Sequence, residues 1–123
     1  MKRYLGSSEA IFGMANLNPQ KSGLGNIIIW SEHNGISRIN KHSLPRVKLG
    51  IDDMNISISI EAVPKILAKS SNITSKVQLA RFDPGIEYVA RNCDIFLKHF
   101  NDTTFEFDDE DLFQALRERG EYK

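Results

Sequence analysis

The sequence predicts an α+β fold: an antiparallel meander sheet of about four strands, one long helix packed on one face of it, and a short C-terminal helix. Three observations predict it. Apolar and polar residues alternate strictly through Arg46–Ile51 and Asn55–Glu61, the mark of half-buried antiparallel strands. Asn34-Gly35 follows an apolar run and suits a two-residue type I′ hairpin turn, in which both central residues need positive φ. From about residue 83 the apolar spacing changes to that of a helix. Strands followed by helices point to α+β architecture, whereas α/β folds alternate the two.

In chain order, residues 1–25 read as a poorly ordered N-terminal extension. Gly6-Ser7-Ser8 and Asn16–Gly25 are rich in turn residues. Ala10-Ile11-Phe12 could pack as a short strand, and Met14 would make a plausible start for the domain. Residues 26–123 then form one α+β domain. The Asn34-Gly35 turn sets Trp30 opposite Ile39, Ser31 opposite Arg38 and Ile28 opposite Lys41. Ile28, Trp30 and Ile39 share one face of that hairpin. Ile27, Ile29, Ser31, His33, Ile36, Arg38 and His42 share the other.

A second hairpin turns at Asp52-Asp53, with Val47, Leu49 and Ile51 facing the same way as Ile56, Ile58 and Ile60. Pro45 fits ahead of its strand or at an edge, because it cannot donate to a ladder. Residues 62–80 are ambiguous. Pro64 breaks any helix there, Ser70-Ser71-Asn72 signals a loop, and Ile66-Leu67 and Val77–Leu79 could each add a short strand.

The long helix is expected over Pro84–Phe100, with Asp83 as N-cap and Pro84 at the first helical position. Its apolar stripe is Ile86, Val89, Ala90, Cys93, Phe96, Leu97 and Phe100. Lys98 and His99 fall in the last turn, where positive charge suits the helix dipole. A second helix is expected from Asp109 to Arg119. Asp108 would cap it, Asp111 would complete a capping box, and Gly120 would end it. Its buried face would be Leu112, Phe113 and Leu116.

The net charge is zero, yet it is split along the chain. Residues 1–50 hold seven Lys/Arg against two acids, and residues 101–123 hold eight acids against three bases. That asymmetry implies two surfaces with different partner preferences. No apolar run approaches the roughly 18 residues of a membrane span, and no apolar stretch of signal-peptide type follows Lys2 and Arg3. No membrane association is expected. One cysteine, Cys93, allows no internal disulfide and fits a reducing cytoplasm.

Motifs for chemistry are sparse. His33, His42, His99 and Cys93 match no zinc spacing, and structural roles are expected for them. No GxSxG, HExxH, phosphate-cradling glycine loop or EF-hand pattern occurs. Gly23-Leu24-Gly25 precedes a strand where a dinucleotide fingerprint would follow one. No catalytic residue, metal or cofactor is assigned. The run Asp108–Asp111 reads as helix capping, since consecutive helical residues lie about 100° apart and share no face.

The leading reading is a small non-enzymatic module that binds another macromolecule, most readily a protein. It would act as a regulator or inhibitor, such as an accessory protein of a mobile element. The expected interface is Phe105, Phe107, Asp108, Asp109, Asp111 and Phe113, with aromatic burial for affinity and charge for steering. Self-association of basic and acidic ends is a further option. The alternative is nucleic-acid or phosphate binding through Arg38, Lys41, His42, Arg46 and Lys48, joined by the hydroxyls of Ser57 and Ser59. With Trp30 expected to point away, this surface lacks a stacking aromatic. A second alternative, a small hydrolase or nuclease, needs a histidine within reach of an acid.

Overall fold

The structure, a computed structural model, describes residues 14–32, 44–104 and 106–123. Among these, five strands form one antiparallel meander in the order β1 (Met14–Leu17), β2 (Ile28–Glu32), β3 (Arg46–Ile51), β4 (Met54–Ser59) and β5 (Ile66–Lys69). The helices are α1 (Pro19–Ser22), α2 (Lys76–Ala80), α3 (Asp83–Arg91), α4 (Cys93–Asn101) and α5 (Asp109–Glu118). The fold is α+β.

The period-two pattern sets the register. Val47 pairs with Ile58, Leu49 with Ile56 and Ile51 with Met54, all facing the core. Arg46, Lys48 and Gly50 face outward opposite Ser59, Ser57 and Asn55. The β3–β4 connection is the expected Asp52-Asp53 turn, with Asp52 at φ +53°, a conformation aspartate tolerates better than most residues. Ile66-Leu67 does add a strand, β5, whose pairing with β4 is interrupted by a bulge at Ser57/Ile58.

Helices α3, α4 and α5 cover the inner face. Tyr88, Phe82, Phe96, Phe100, Leu112 and Leu116 complete a core built on Ile29, Leu49, Ile56 and Ile58. Gly85 lets α3 approach the sheet, since a Cβ there would lie 3.0 Å from the Ile27 Cγ2 methyl. The C-terminal segment closes the domain. Tyr122 stacks on Phe113 and accepts a hydrogen bond from the Asn18 N–H, and the Lys123 N–H donates to the Lys21 carbonyl.

Several expectations are corrected. Residues 14–25, read as part of the extension, hold β1 with Ala15 and Leu17 buried, then α1, capped by the Asn18 side chain. Residues 1–13, the Asn34-Gly35 turn and Ile39 lie outside the described residues. Trp30 is not available to pair with Ile39, because Asn16 flanks it on β1 and Lys48 on β3. Ser31 is likewise flanked by Ala15 and Val47, which leaves no edge for Arg38.

The expected long helix is broken at Asn92. Its φ of −119° departs from helical values, and its side-chain amide donates to the Tyr88 carbonyl at 2.9 Å. That is the carbonyl its own N–H would bond in a continuous helix. The break changes the buried face, which is Gly85, Tyr88 and Val89 on α3 and Ile95, Phe96, His99 and Phe100 on α4. Asp83 is the first residue of α3, and Phe82 takes the N-cap position. Val77–Leu79 is helical instead of extended. Ser75 accepts from the Gln78 N–H while the Gln78 side chain returns to the Ser75 N–H, a reciprocal cap that nucleates α2.

Candidate functional site

The expected C-terminal interface is largely occupied by the fold's own bonds. Asp108 accepts from the Asp111 N–H and Asp111 accepts from the Asp108 N–H, so both carboxylates serve the cap of α5. Phe107 is half-buried, its ring under the Lys98 ammonium at 4.7 Å, and its N–H donates to Asp102. Phe113 is half-buried and stacked on Tyr122 at 5.2 Å. Open hollows of about 290 and 350 Å³ flank Phe107, one toward Ile95 and Ala115, the other toward Thr103 and Thr104. Phe105 lies outside the described residues.

Asp109 has a role that sequence spacing did not disclose. Its carboxylate accepts from His99 Nε2–H at 2.9 Å, and His99 Nδ1 lies 2.8 Å from the Ser31 hydroxyl. A serine, a histidine and an aspartate are thus in line, the residue types of a hydrolase. Ser31 and His99, however, have no exposed surface, and Ser31 faces the core from β2. A nucleophile without exposed surface meets no substrate. The chain of bonds braces the sheet to α4 and α5.

Opposing charges tie the helices to the C-terminal segment. Arg119 pairs with Asp94, and Arg91 pairs with Glu121 at 2.8 Å. The hydrogen bond from each arginine holds its acid below the usual carboxylate range. Tyr88 donates to the Glu121 carbonyl, and burial pushes its phenol above the ordinary tyrosine range, with Glu121 and Tyr122 adding to the shift.

The outer sheet face differs from these satisfied regions. Register places Asn16, Trp30, Lys48 and Ser57 directly opposite one another across β1 to β4, with Arg46 two residues before Lys48 on the same face. Trp30 therefore shares this face, against expectation. Its six-membered ring lies over Gly50, where a Cβ would come within 2.6 Å of Cη2 and Cζ3, and the residue is only 2% exposed.

Among the described residues, the Trp30 Nε1–H and the Arg46 Nε–H are buried with no acceptor. Leaving such a donor unpaired costs about 1–3 kcal/mol. The ion pairs among described residues join Arg81–Asp52, Arg91–Glu121, His99–Asp109 and Arg119–Asp94, and none of them includes Arg46 or Lys48. Glu32 shares the outer face, is buried, and has interactions of its own. Ser59 is also buried, and its hydroxyl is taken, donating to Glu61 and accepting from the Lys65 N–H. Of the two expected hydroxyls, only that of Ser57 stays available. Arg38, Lys41 and His42 lie outside the described residues.

No protein-family model matches the chain, and no curated protein or solved structure matches it significantly. The functional reading therefore rests on the site itself. Among the described residues no group of His, Cys, Asp and Glu assembles to hold a metal ion, and no helix is long and apolar enough to cross a membrane. Sequence reasoning missed Trp30 at this site because it paired β2 with residues 36–41, which turned the indole away. The spacing of Trp30 from Ile29 and Ser31 did place it on the face opposite theirs, a signal that was legible, but not which of the two faces is the outer one.

Proposed function

We propose that this chain is a non-enzymatic module that binds nucleic acid by its phosphate backbone, through the outer face of its sheet. The observation that carries the reading is the pair of cations Arg46 and Lys48, side by side on β3 beside an indole and a hydroxyl, with no acid of the described residues paired to either. Unpaired cations on one face supply the charge that phosphates need, and a neighbouring hydroxyl supplies positioning. The acidic C-terminal residues support protein binding less well. Asp108, Asp109 and Asp111 are engaged in capping and in the His99 brace, and Phe113 lies against Tyr122.

The test is fluorescence anisotropy with labelled single-stranded and duplex oligonucleotides over a salt series. If Arg46 and Lys48 neutralise two phosphates of a single strand, log K falls against log salt with a slope of about −1.4, or roughly sevenfold between 50 and 200 mM. Participation by Arg38 and Lys41 would double that slope. The Arg46→Glu/Lys48→Glu variant is expected to lose binding, and Glu110→Lys is expected to retain it. Binding that is indifferent to Arg46 and Lys48 would overturn the reading. Capture of a protein partner that fails only with Phe113→Ala or Glu110→Lys would replace it with the protein-interaction reading.

A further inference from the structure

We infer that the outer edge of β5 is a docking site for an extended acidic segment of a partner protein, which joins the sheet as a further strand. The inference goes beyond the nucleic-acid reading and uses a different surface. From Ala62 to Phe82 the chain holds Lys65, Lys69, Lys76 and Arg81 and no acid. Arg81 pairs with Asp52. Among the described residues, no ion pair includes Lys65, Lys69 or Lys76.

The backbone at this edge is open. β5 is the last strand of the described sheet and pairs with β4 on one side. Asn55 and Ser59 turn their polar backbone groups toward β5. The Asn55 carbonyl accepts from the Ser70 N–H, and the Ser59 N–H donates to the Lys65 carbonyl. These directions alternate along an antiparallel strand. Ile56 and Ile58 therefore bond β3, and their partners on β5, Lys69 and Ile66, turn their own N–H and C=O groups away from β4. The bulge at Ser57/Ile58 sets these two positions three residues apart. Outward N–H and C=O groups of this kind are the template for strand addition.

The side chains supply the second half of the site. Ile66 lies opposite the fully buried Ile58, on the core side of the sheet, yet it is 42% exposed. Val63, in the loop that leads into β5, is 79% exposed. A strand laid along β5 would cover Ile66 and continue the apolar inner face outward by one position.

Charge selects the occupant. A second copy would line one seam with Lys65 and Lys69 from both strands, and like charges across a ladder destabilise it. Lysines on an edge oppose self-pairing for that reason. A nucleic acid matches the charge but brings no strand-like donors and acceptors for Ile66 and Lys69, and no apolar side chain for Ile66. An extended segment with acids among apolar residues meets all three features: ammonium groups, outward backbone groups and an uncovered isoleucine.

The probe is a fluorescein-labelled peptide of about eight residues, the length of an ordinary strand, in which glutamate alternates with valine. Anisotropy with the full chain measures affinity, and hydrogen exchange in ¹H–¹⁵N spectra reports single amides. The peptide is expected to bind with a Kd below about 1 mM. Bound peptide should slow exchange of the Ile66 and Lys69 amides, while the Ser70 amide, already bonded to Asn55, changes little. Methylating alternate peptide nitrogens should abolish binding. Lys65→Glu/Lys69→Glu should weaken it by about tenfold, and both side chains belong to exposed or half-buried residues that the core does not use.

No binding of the peptide at about 1 mM would overturn the proposal. So would binding that tolerates the methylated backbone or leaves the Ile66 and Lys69 amides exchanging as before, since charge alone would then explain it. Displacement of the peptide by a single-stranded oligonucleotide would assign the edge to nucleic acid and overturn it. A dimer in sedimentation that Ile66→Glu dissolves would assign the edge to a second copy, with the same result.

Discussion

Replacing Gly50 by alanine tests the placement of Trp30 directly. The added Cβ would lie 2.6 Å from both Cη2 and Cζ3 of the indole, while the Met54 carbonyl at 3.8 Å is an ordinary contact. Carbon atoms rest at about 3.5–4.0 Å, so the ring or the strand must yield by roughly 1 Å. The ring has little freedom, being 2% exposed. The strand has little either, because β3 is paired on both sides. Overpacking of this size costs about 1–3 kcal/mol. Gly50 is not among the positive-φ glycines, so alanine fits the backbone and regains about 0.4–1 kcal/mol from the unfolded chain. The net loss is about 1–2 kcal/mol. Urea unfolding followed by circular dichroism and by Trp30 emission should show a lower midpoint with an unchanged m-value, and a red-shifted native emission. The loss should shrink when Trp30→Val is combined with Gly50→Ala, since the indole atoms that the methyl would strike are then gone and the Met54 carbonyl is at an ordinary distance. Wild-type stability with unshifted emission in Gly50→Ala would refute the packing, and with it the position of the indole beside Lys48.

Two further outcomes are expected. Ser31→Ala leaves the fully buried His99 Nδ1 without its hydroxyl and should destabilise by about 1–3 kcal/mol in chemical denaturation. Asp109→Asn should cost less, because that carboxylate is half-exposed. The pH dependence has two limbs. Asp94 and Glu121 titrate lower in the fold than unfolded, so the stability they add is present above about pH 4 and is lost as pH falls through their folded values. Tyr88 titrates higher in the fold, so its contribution is complete below about pH 10 and is lost as pH rises further. Melting across pH should show both limbs. Arg91→Met/Arg119→Met should flatten the acid limb, and Tyr88→Phe the alkaline one.

The protein-interface residues chosen from the sequence were picked by composition, and composition does not show whether a side chain is already engaged. Asp108 and Asp111 were correctly read as a cap because an N-terminal capping box is local: four residues contain both partners. Asp109 sits between them in sequence, yet its partner His99 is on another helix and Ser31 on a strand 68 residues away from His99. No local pattern encodes that brace. The same division holds for the helix break. Asn92 interrupts the stripe visibly only once its amide is seen to take the Tyr88 carbonyl.

By itself, the sequence determined the elements whose cause is local. Alternation of isoleucines with serines made β4, Asp52-Asp53 made its turn, the Asp108–Asp111 box started α5, and Gly120 at φ +76° ended it. Tertiary structure decided which strands adjoin. A strand has two edges and its sequence labels only its two faces. The division of β2 into two faces was therefore legible, with Ile29 and Ser31 on one and Trp30 on the other, while its neighbours and which face turns inward were not. Pairing β2 with β1 and β3 brought Trp30 beside Lys48, over the one residue of β3 that has no side chain to obstruct the ring. The candidate phosphate site thus follows from long-range pairing, which depends on how β1 to β4 bury a common face.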